Sequence, residues 1–201
     1  MPRGWTDEEK ARLKELLLDR GQSLFERLGL VKTTVDDLVR TAGISKGAFY
    51  QFYESKEALY FDVVERVERE IRTELAAFTW TDGPPYQNLK RFFQTIVAVF
   101  AKNPFLRSMA GTERSVLETR LPTERLTRHQ REDEAEVVRL FQTWVVAGRI
   151  RAVDWKAFTS ILQQFVLVLS RLGPAGEHAS EVELWIDMLS RLLEPGMNVH
   201  E

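Results

Sequence analysis

The chain has 201 residues, 44% of them hydrophobic and 29% charged. That composition excludes a wholly disordered or collagen-like polypeptide, and the length suits roughly one or two domains with a sizeable core. Lys and Arg number 28 against 30 Asp and Glu, a net charge of -2, so nucleic-acid binding has to come from a local surface and not from a global positive excess. Cysteine is absent, which removes disulfides, thiolate metal sites and cysteine nucleophiles together and fits a reducing compartment.

The opening Met1-Pro2-Arg3-Gly4-Trp5-Thr6-Asp7-Glu8-Glu9 places acidic residues where a secretory signal carries its apolar stretch. The apolar run from Thr95 to Ala101 ends at Lys102, far short of the roughly 18 to 20 residues of a membrane span. A cytoplasmic chain outside the membrane is expected.

Helical periodicity runs along nearly the whole chain and the strand signal is almost absent, so an all-α fold is expected. The first helix starts at Thr6, whose hydroxyl can accept a free N–H while Glu9 reaches back, and is expected to end near Leu28 ahead of Gly29. Leu13, Leu16, Leu17, Leu24, Phe25 and Leu28 recur at three- and four-residue steps and form its inward stripe. Short helices follow over 35–41 and 46–52, then a long one over 56–78. After the break Thr81-Asp82-Gly83-Pro84-Pro85 come a helix over 86–102, a short one beyond Pro104 and a long one over 123–147, with Leu121-Pro122 separating the last two. Asp154 caps a helix reaching to about 172, Gly173-Pro174-Ala175-Gly176 turns the chain, and Ser180 with Glu183 caps a last helix to about 193.

The stretch from Thr33 to Lys56 carries the functional signal. Thr34 is an N-cap with Asp37 three residues on, and Ala42-Gly43-Ile44 forms the kind of turn that joins two short helices: a small residue, one free to take positive φ, and an apolar anchor. Ser45 then caps a second helix whose free N–H groups and Lys46 suit an anion such as a DNA phosphate. On that helix Phe49 and Phe52 fall on the side of Ile44, while Lys46, Gly47, Ala48, Tyr50 and Gln51 face away. Gln51 can pair with adenine and the Ala48 methyl can touch thymine. Lys56 would sit beside the DNA backbone. Residues 1–60 hold ten basic and ten acidic side chains, so any positive face must come from geometry and from doubling in a dimer.

At these positions the chain resembles the tetracycline-repressor (TetR) family of bacterial transcription regulators. The resemblance rests on Gly29, on Thr33-Thr34-Val35-Asp36-Asp37-Leu38, on Ala42-Gly43-Ile44-Ser45-Lys46-Gly47, and on Phe49-Tyr50 followed by Ser55-Lys56-Glu57-Ala58-Leu59. It implies an N-terminal three-helix helix-turn-helix DNA-binding domain over 1–55 and a C-terminal helical ligand-binding and dimerisation domain over 56–201. It further implies a homodimer that represses at a double-stranded DNA operator until a small-molecule effector binds. By position, Thr34, Tyr50, Tyr53 and Lys56 match phosphate contacts of the family, and Ser45, Lys46, Gly47, Ala48 and Gln51 match its groove-facing surface. Gln51-Phe52-Tyr53 departs from the histidine or second tyrosine followed by phenylalanine that many members carry, which bears on the preferred base sequence.

In the C-terminal part, Phe165-Val166-Leu167-Val168-Leu169 is apolar around the whole helix, so either a partner subunit or a deep monomer core must cover it. With Val182, Trp185, Ile186, Leu189, Leu192 and Leu193 it can supply half of a four-helix dimer bundle, for which Phe158, Phe165, Val168, Leu169, Trp185 and Leu189 are the interface candidates. Phe78, Phe92, Phe93, Ile96, Phe100, Phe105, Met109, Phe141 and Trp144 either line a pocket for an apolar or aromatic effector or fill the core.

His129, His178 and His200 are scattered. His129 with Glu132 and Asp133 shares a helix face, which reads as a metal site or as a surface charge cluster. Arg125, Arg128 and Arg131 recur among carboxylates as a mixed-charge face. There is no nucleophile elbow, phosphate loop or dinucleotide fingerprint; no enzyme, cofactor or metal is expected. A helical regulator governed by a protein partner, without a small-molecule pocket, is the second reading.

Overall fold

The computed structural model describes residues 5–103, 105, 112–170 and 178–196, and among them every regular element is an α-helix. In chain order these are α1 (Asp7–Lys32), α2 (Val35–Ala42), α3 (Lys46–Phe49), α4 (Lys56–Ala76), α5 (Pro85–Lys102), α6 (Thr112–Arg120), α7 (Thr123–Val146), α8 (Trp155–Ser170) and α9 (Ala179–Leu193). None of the helices among the described residues is long and apolar enough to cross a membrane. The expected end of α8 near 172 and the turn at 173–176 lie outside the described residues.

Packing groups the chain into two compact units, Met1–Arg69 with Ser108–Pro122, and Glu70–Arg107 with Thr123–Glu201. In this grouping the boundary falls inside α4, whose Ala58, Leu59, Tyr60, Val63, Val64 and Val67 are all buried. Helix α6 belongs to the first unit, where it packs on α1. It lies in the stretch between Pro104 and Leu121-Pro122 where a short helix is expected, although Val116 and Leu117 are its only large apolar residues.

In the first unit α1 opens with the capping box its spacing foretold. The Thr6 hydroxyl accepts the Glu9 N–H at 3.2 Å and the Glu9 carboxylate accepts the Thr6 N–H at 2.8 Å. Gly29 does not end the helix. It takes φ 76 and ψ 164, kinks α1, and the helix resumes to Lys32. Thr33 then donates both its N–H (3.3 Å) and its hydroxyl (2.7 Å) to the Gly29 carbonyl. Helix α4 approaches α1 closely at Gly21, where a Cβ would stand 3.1 Å from Leu59 Cδ2. Next to this contact Phe25 meets Tyr60 edge-on at 5.0 Å, and Arg66 donates to Asp19 (2.7 Å) and Gln22 (2.6 Å).

The second unit is built on aromatic edge-to-face contacts between α5, α7 and α8: Phe92 to Trp144 at 4.8 Å and Phe141 to Phe158 at 4.9 Å. Asp154 caps α8 as expected, accepting the N–H groups of Lys156 (2.9 Å) and Ala157 (3.1 Å). Helix α9 starts earlier than Ser180 and Glu183 suggest. His178 is its N-cap, in the left-handed region at φ 68, with no side-chain cap bond.

A polar staple joins α5 to α9. Tyr86 donates its hydroxyl to Asp187 at 2.5 Å, Arg191 Nε donates to the other carboxylate oxygen at 2.9 Å, and the Arg191 guanidinium lies 5.0 Å from the Tyr86 ring centre. The hydrogen bonds from Arg191 and then Tyr86 hold the Asp187 carboxyl below its ordinary range, and the bond to Asp187 raises the Tyr86 hydroxyl above its own. A depressed carboxyl contributes stability above about pH 4 that is lost as pH falls, and a raised tyrosine contributes below about pH 10 and is lost as pH climbs. Asp187→Asn is therefore expected to flatten both the acid and the alkaline limbs of the Tm-against-pH curve. Limbs that match the wild type would show that the staple adds nothing to folding.

Candidate nucleic-acid interface

Local chemistry builds the segment between α1 and α4 step by step. The Thr34 hydroxyl accepts the Asp37 N–H at 3.2 Å, and the Asp37 carboxylate accepts the Thr34 N–H at 3.2 Å, so α2 begins with a full capping box. It ends at Gly43, left-handed at φ 68 and ψ 31, which lets the Ile44 N–H return to the Val39 carbonyl at 3.0 Å. The Ser45 hydroxyl then accepts the Ala48 N–H at 3.1 Å and starts α3.

Helix α3 has only four residues, with Tyr50 and Gln51 continuing as a turn. Phe49 is fully buried beneath it. Thr34, Ser45, Lys46, Gly47, Tyr50 and Gln51 are exposed, Tyr50 to 55%. At Gly47 a Cβ would meet nothing nearer than Ser45 Oγ at 3.8 Å, so a flat surface can approach the backbone there. Behind the turn Trp5 stacks on Phe52 at 5.6 Å and ties the entry of α1 to the exit of α3.

Three expected contact residues are placed elsewhere. Ala48 is only 6% exposed; a one-turn helix pinned by Phe49 turns its neighbour inward too, so the methyl is not offered to a groove. Tyr53 is 5% exposed and donates its hydroxyl to Asp62 at 3.0 Å. Lys56 Nζ donates to the carbonyls of Leu30 (2.8 Å), Val31 (3.1 Å) and Thr33 (2.7 Å). Those three acceptors match the three protons of an ammonium, so Lys56 closes the end of α1 in place of a phosphate contact.

Charges on the exposed side are paired. Lys46 Nζ lies 2.8 Å from Asp36, whose hydrogen bond raises the lysine above its ordinary range. Arg40 pairs with Asp37, and the Thr34 hydroxyl and then Arg40 hold that carboxyl low.

In the second unit the effector candidates Phe92, Phe93, Phe100, Phe105, Phe141 and Trp144 are buried, and Phe78 and Ile96 half-buried; Met109 lies outside the described residues. An open groove of about 490 Å³ runs along α7, where Thr127, Arg128, Arg131, Glu132 and Arg139 are among its lining, apart from those aromatic residues. Of the interface candidates, Phe158, Phe165, Leu169 and Leu189 are buried within the chain, while Val168 and Trp185 are half-buried. The apolar side chains left open on α8 and α9 are Val166, Leu184 (68%) and Met188 (45%). Leu184 and Met188 stand four apart, a signal the sequence holds but that Glu181, Glu183, Asp187 and Arg191 obscure. His129 lies 3.2 Å from Asp133, which also accepts from Arg72 of α4 at 2.7 Å.

Residues 17–63 match the family described as "Bacterial regulatory proteins, tetR family". The chain is 26% identical over 135 residues to the HTH-type transcriptional repressor DhaR of Mycobacterium sp. (strain GP1), covering 66% of this chain and 62% of that one. It is 31% identical over 84 residues to the HTH-type transcriptional regulator EthR of Mycobacterium tuberculosis, covering 42% and 38%. Each match thus takes in less than two thirds of the relative's own length. A tetR-family transcriptional regulator from Pectobacterium atrosepticum has the same fold, with a TM-score of 0.74 at 21% identity over 96% of this chain and 100% of that one.

Lys56→Met keeps the aliphatic stem but leaves part-buried carbonyls without a charged donor, so a loss of about 1 to 3 kcal/mol in denaturant unfolding is expected. The salt dependence of binding to a duplex should stay the same. A slope lowered by about one with stability intact would instead make Lys56 a phosphate contact.

Proposed function

We propose that this chain, whose residues 17–63 match the tetR family of bacterial regulatory proteins, is a cytoplasmic, homodimeric transcriptional repressor released from a palindromic DNA operator by a small apolar or aromatic effector. The observation that carries the DNA-binding part is the α2–turn–α3 segment, capped at both helix starts and pinned by Phe49, with Ser45, Lys46, Gly47, Tyr50 and Gln51 exposed. A short helix held this firmly enters a major groove with little ordering left to do. Ser45 and Tyr50 offer hydroxyls to phosphates, Gln51 has the amide that pairs with adenine, and Gly47 admits the close approach. Thr34, at the start of α2, adds a backbone contact.

Two such segments must lie about 34 Å apart to meet successive turns of one duplex face. The apolar side chains open on α8 and α9, Val166, Leu184 and Met188, beside half-buried Val168 and Trp185, support a four-helix pairing of two copies. For the effector, the aromatic cluster around Phe78, Phe92, Phe141 and Trp144 offers edges and faces that suit a ring. Helix α4 is common to the two compact units, and a ligand that prefers one position of α4 would shift DNA affinity, with a coupling of about 1 to 3 kcal/mol. That the similar DhaR is a transcriptional repressor supports repression as the mode of action. In functional terms residues 1–55 read DNA and 56–201 bind the effector and the second copy.

Selection of random duplex DNA on the purified protein at near-physiological salt is expected to enrich a palindrome. Binding without enrichment would remove the operator. With a site in hand, Gln51→Ala should relax preference at one operator position by about 1 to 3 kcal/mol, and an unchanged logo would take Gln51 out of base readout. Met188→Glu changes an exposed side chain, so it should leave folding intact and yield monomers by light scattering. Persistent dimers would move the interface away from α9.

A further inference from the structure

We propose that Asp36 is a specificity-determining residue that acts through Lys46, holding its charge back from DNA that offers no well-placed acceptor. The inference rests on the α2–turn–α3 segment being the DNA-reading surface.

Four ionisable side chains of the two helices are involved. Arg40 and Lys46 are basic, Asp36 and Asp37 acidic, so the two helices carry no net charge. Asp37 has a structural task, since it caps α2 through Thr34 while pairing with Arg40. Asp36 makes a different contact: it spans the turn to meet Lys46 of α3 at 2.8 Å. Both partners are more than half exposed, at 55% for Lys46 and 68% for Asp36. A pair so open to water adds little to folding. Its effect is felt outside the protein: a carboxylate in contact with an ammonium turns a point charge into a dipole, whose attraction for a distant polyanion falls off steeply.

Asp36 takes one of the three ammonium protons of Lys46, and a duplex that engages the lysine must draw it against the attraction of that carboxylate. A correctly placed guanine edge or phosphate does so with a short charge-assisted hydrogen bond. A mismatched duplex offers only the diffuse field of its backbone, the field to which counterion release makes free lysines respond. Asp36 therefore suppresses sequence-independent binding more than it suppresses specific binding, and the ratio of the two rises.

The test uses the full-length protein, a selected duplex and a scrambled one, over a salt series. Asp36→Asn should tighten binding to the scrambled duplex by about tenfold at low salt, steepen its salt slope by about one per chain, and tighten binding to the selected duplex less. Asp36→Glu should restore the wild-type slope. In a Lys46→Gln background Asp36→Asn should have no effect on either duplex. Because the key result is a gain of binding, a misfolded variant does not imitate it. Scrambled-duplex affinity and slope that stay at wild-type values would overturn the proposal. So would a tenfold gain that persists with Lys46→Gln, which would assign the effect to net charge alone. If neither wild type nor Asp36→Asn binds any duplex, the DNA-reading surface itself falls and this inference with it.

Discussion

One ammonium group holds the helix-turn-helix closed. Lys56, the first residue of α4, donates to the carbonyls of Leu30, Val31 and Thr33 at the end of α1, so everything between Thr33 and Lys56 is a loop whose two ends meet on a single charge. Bringing the ends of a chain this long together costs roughly 3 kcal/mol, and the charged bonds offset much of it. Within the loop, α3 is too short to persist on its own. It exists because Ser45 caps it and Phe49 sinks beneath it, with Tyr53 anchored to Asp62 behind. The exposed residues of α3 are thus displayed on a segment whose inward side is fully committed.

What could be read in advance follows from the range of each interaction. The caps at Thr6, Thr34 and Asp154 lie within four residues of their partners, so the spacing alone located them. Gly43 was legible for the same reason, since a reversal between two short helices needs a residue free at positive φ. Gly29 reads as a stop but acts as a kink, because a glycine at positive φ is compatible with either. Contacts between distant residues were out of reach: Lys56 finds its carbonyls more than twenty positions upstream, and Asp36 meets Lys46 across a turn. Helical periodicity points Ala48 outward, but a one-turn helix never completes that period and Ala48 is buried.

The second unit shows why aromatic content alone does not separate a core from a cavity. Phe78, Phe92, Phe141 and Trp144 satisfy one another edge-to-face at 4.8 to 5.7 Å, with Phe78 tilted against Trp144 at 6.0 Å, and such contacts add about 0.5 to 1.5 kcal/mol each beyond burial. A ligand entering here would have to replace those contacts with its own, which favours a flat, apolar ring over a flexible polar one. On α8 and α9 the balance runs the other way. Phe158, Phe165, Leu169 and Leu189 are already satisfied inside the chain, so further association draws on the residues that remain open, Val166, Leu184 and Met188, flanked by charge.

Charge and packing together bear on the proposed reading of DNA. In a chain of net charge -2, with acidic partners on both Arg40 and Lys46, α2 and α3 offer little bulk attraction to a polyanion. Binding energy must come from contacts that replace existing ion pairs with better ones, and such replacements succeed only where donors and acceptors coincide. In the proposed dimer, symmetry would double those coincidences while the sequence-independent term stays small. A neutral reading surface on a preorganised short helix is therefore a physical route to selectivity that accepts weaker binding to DNA at large.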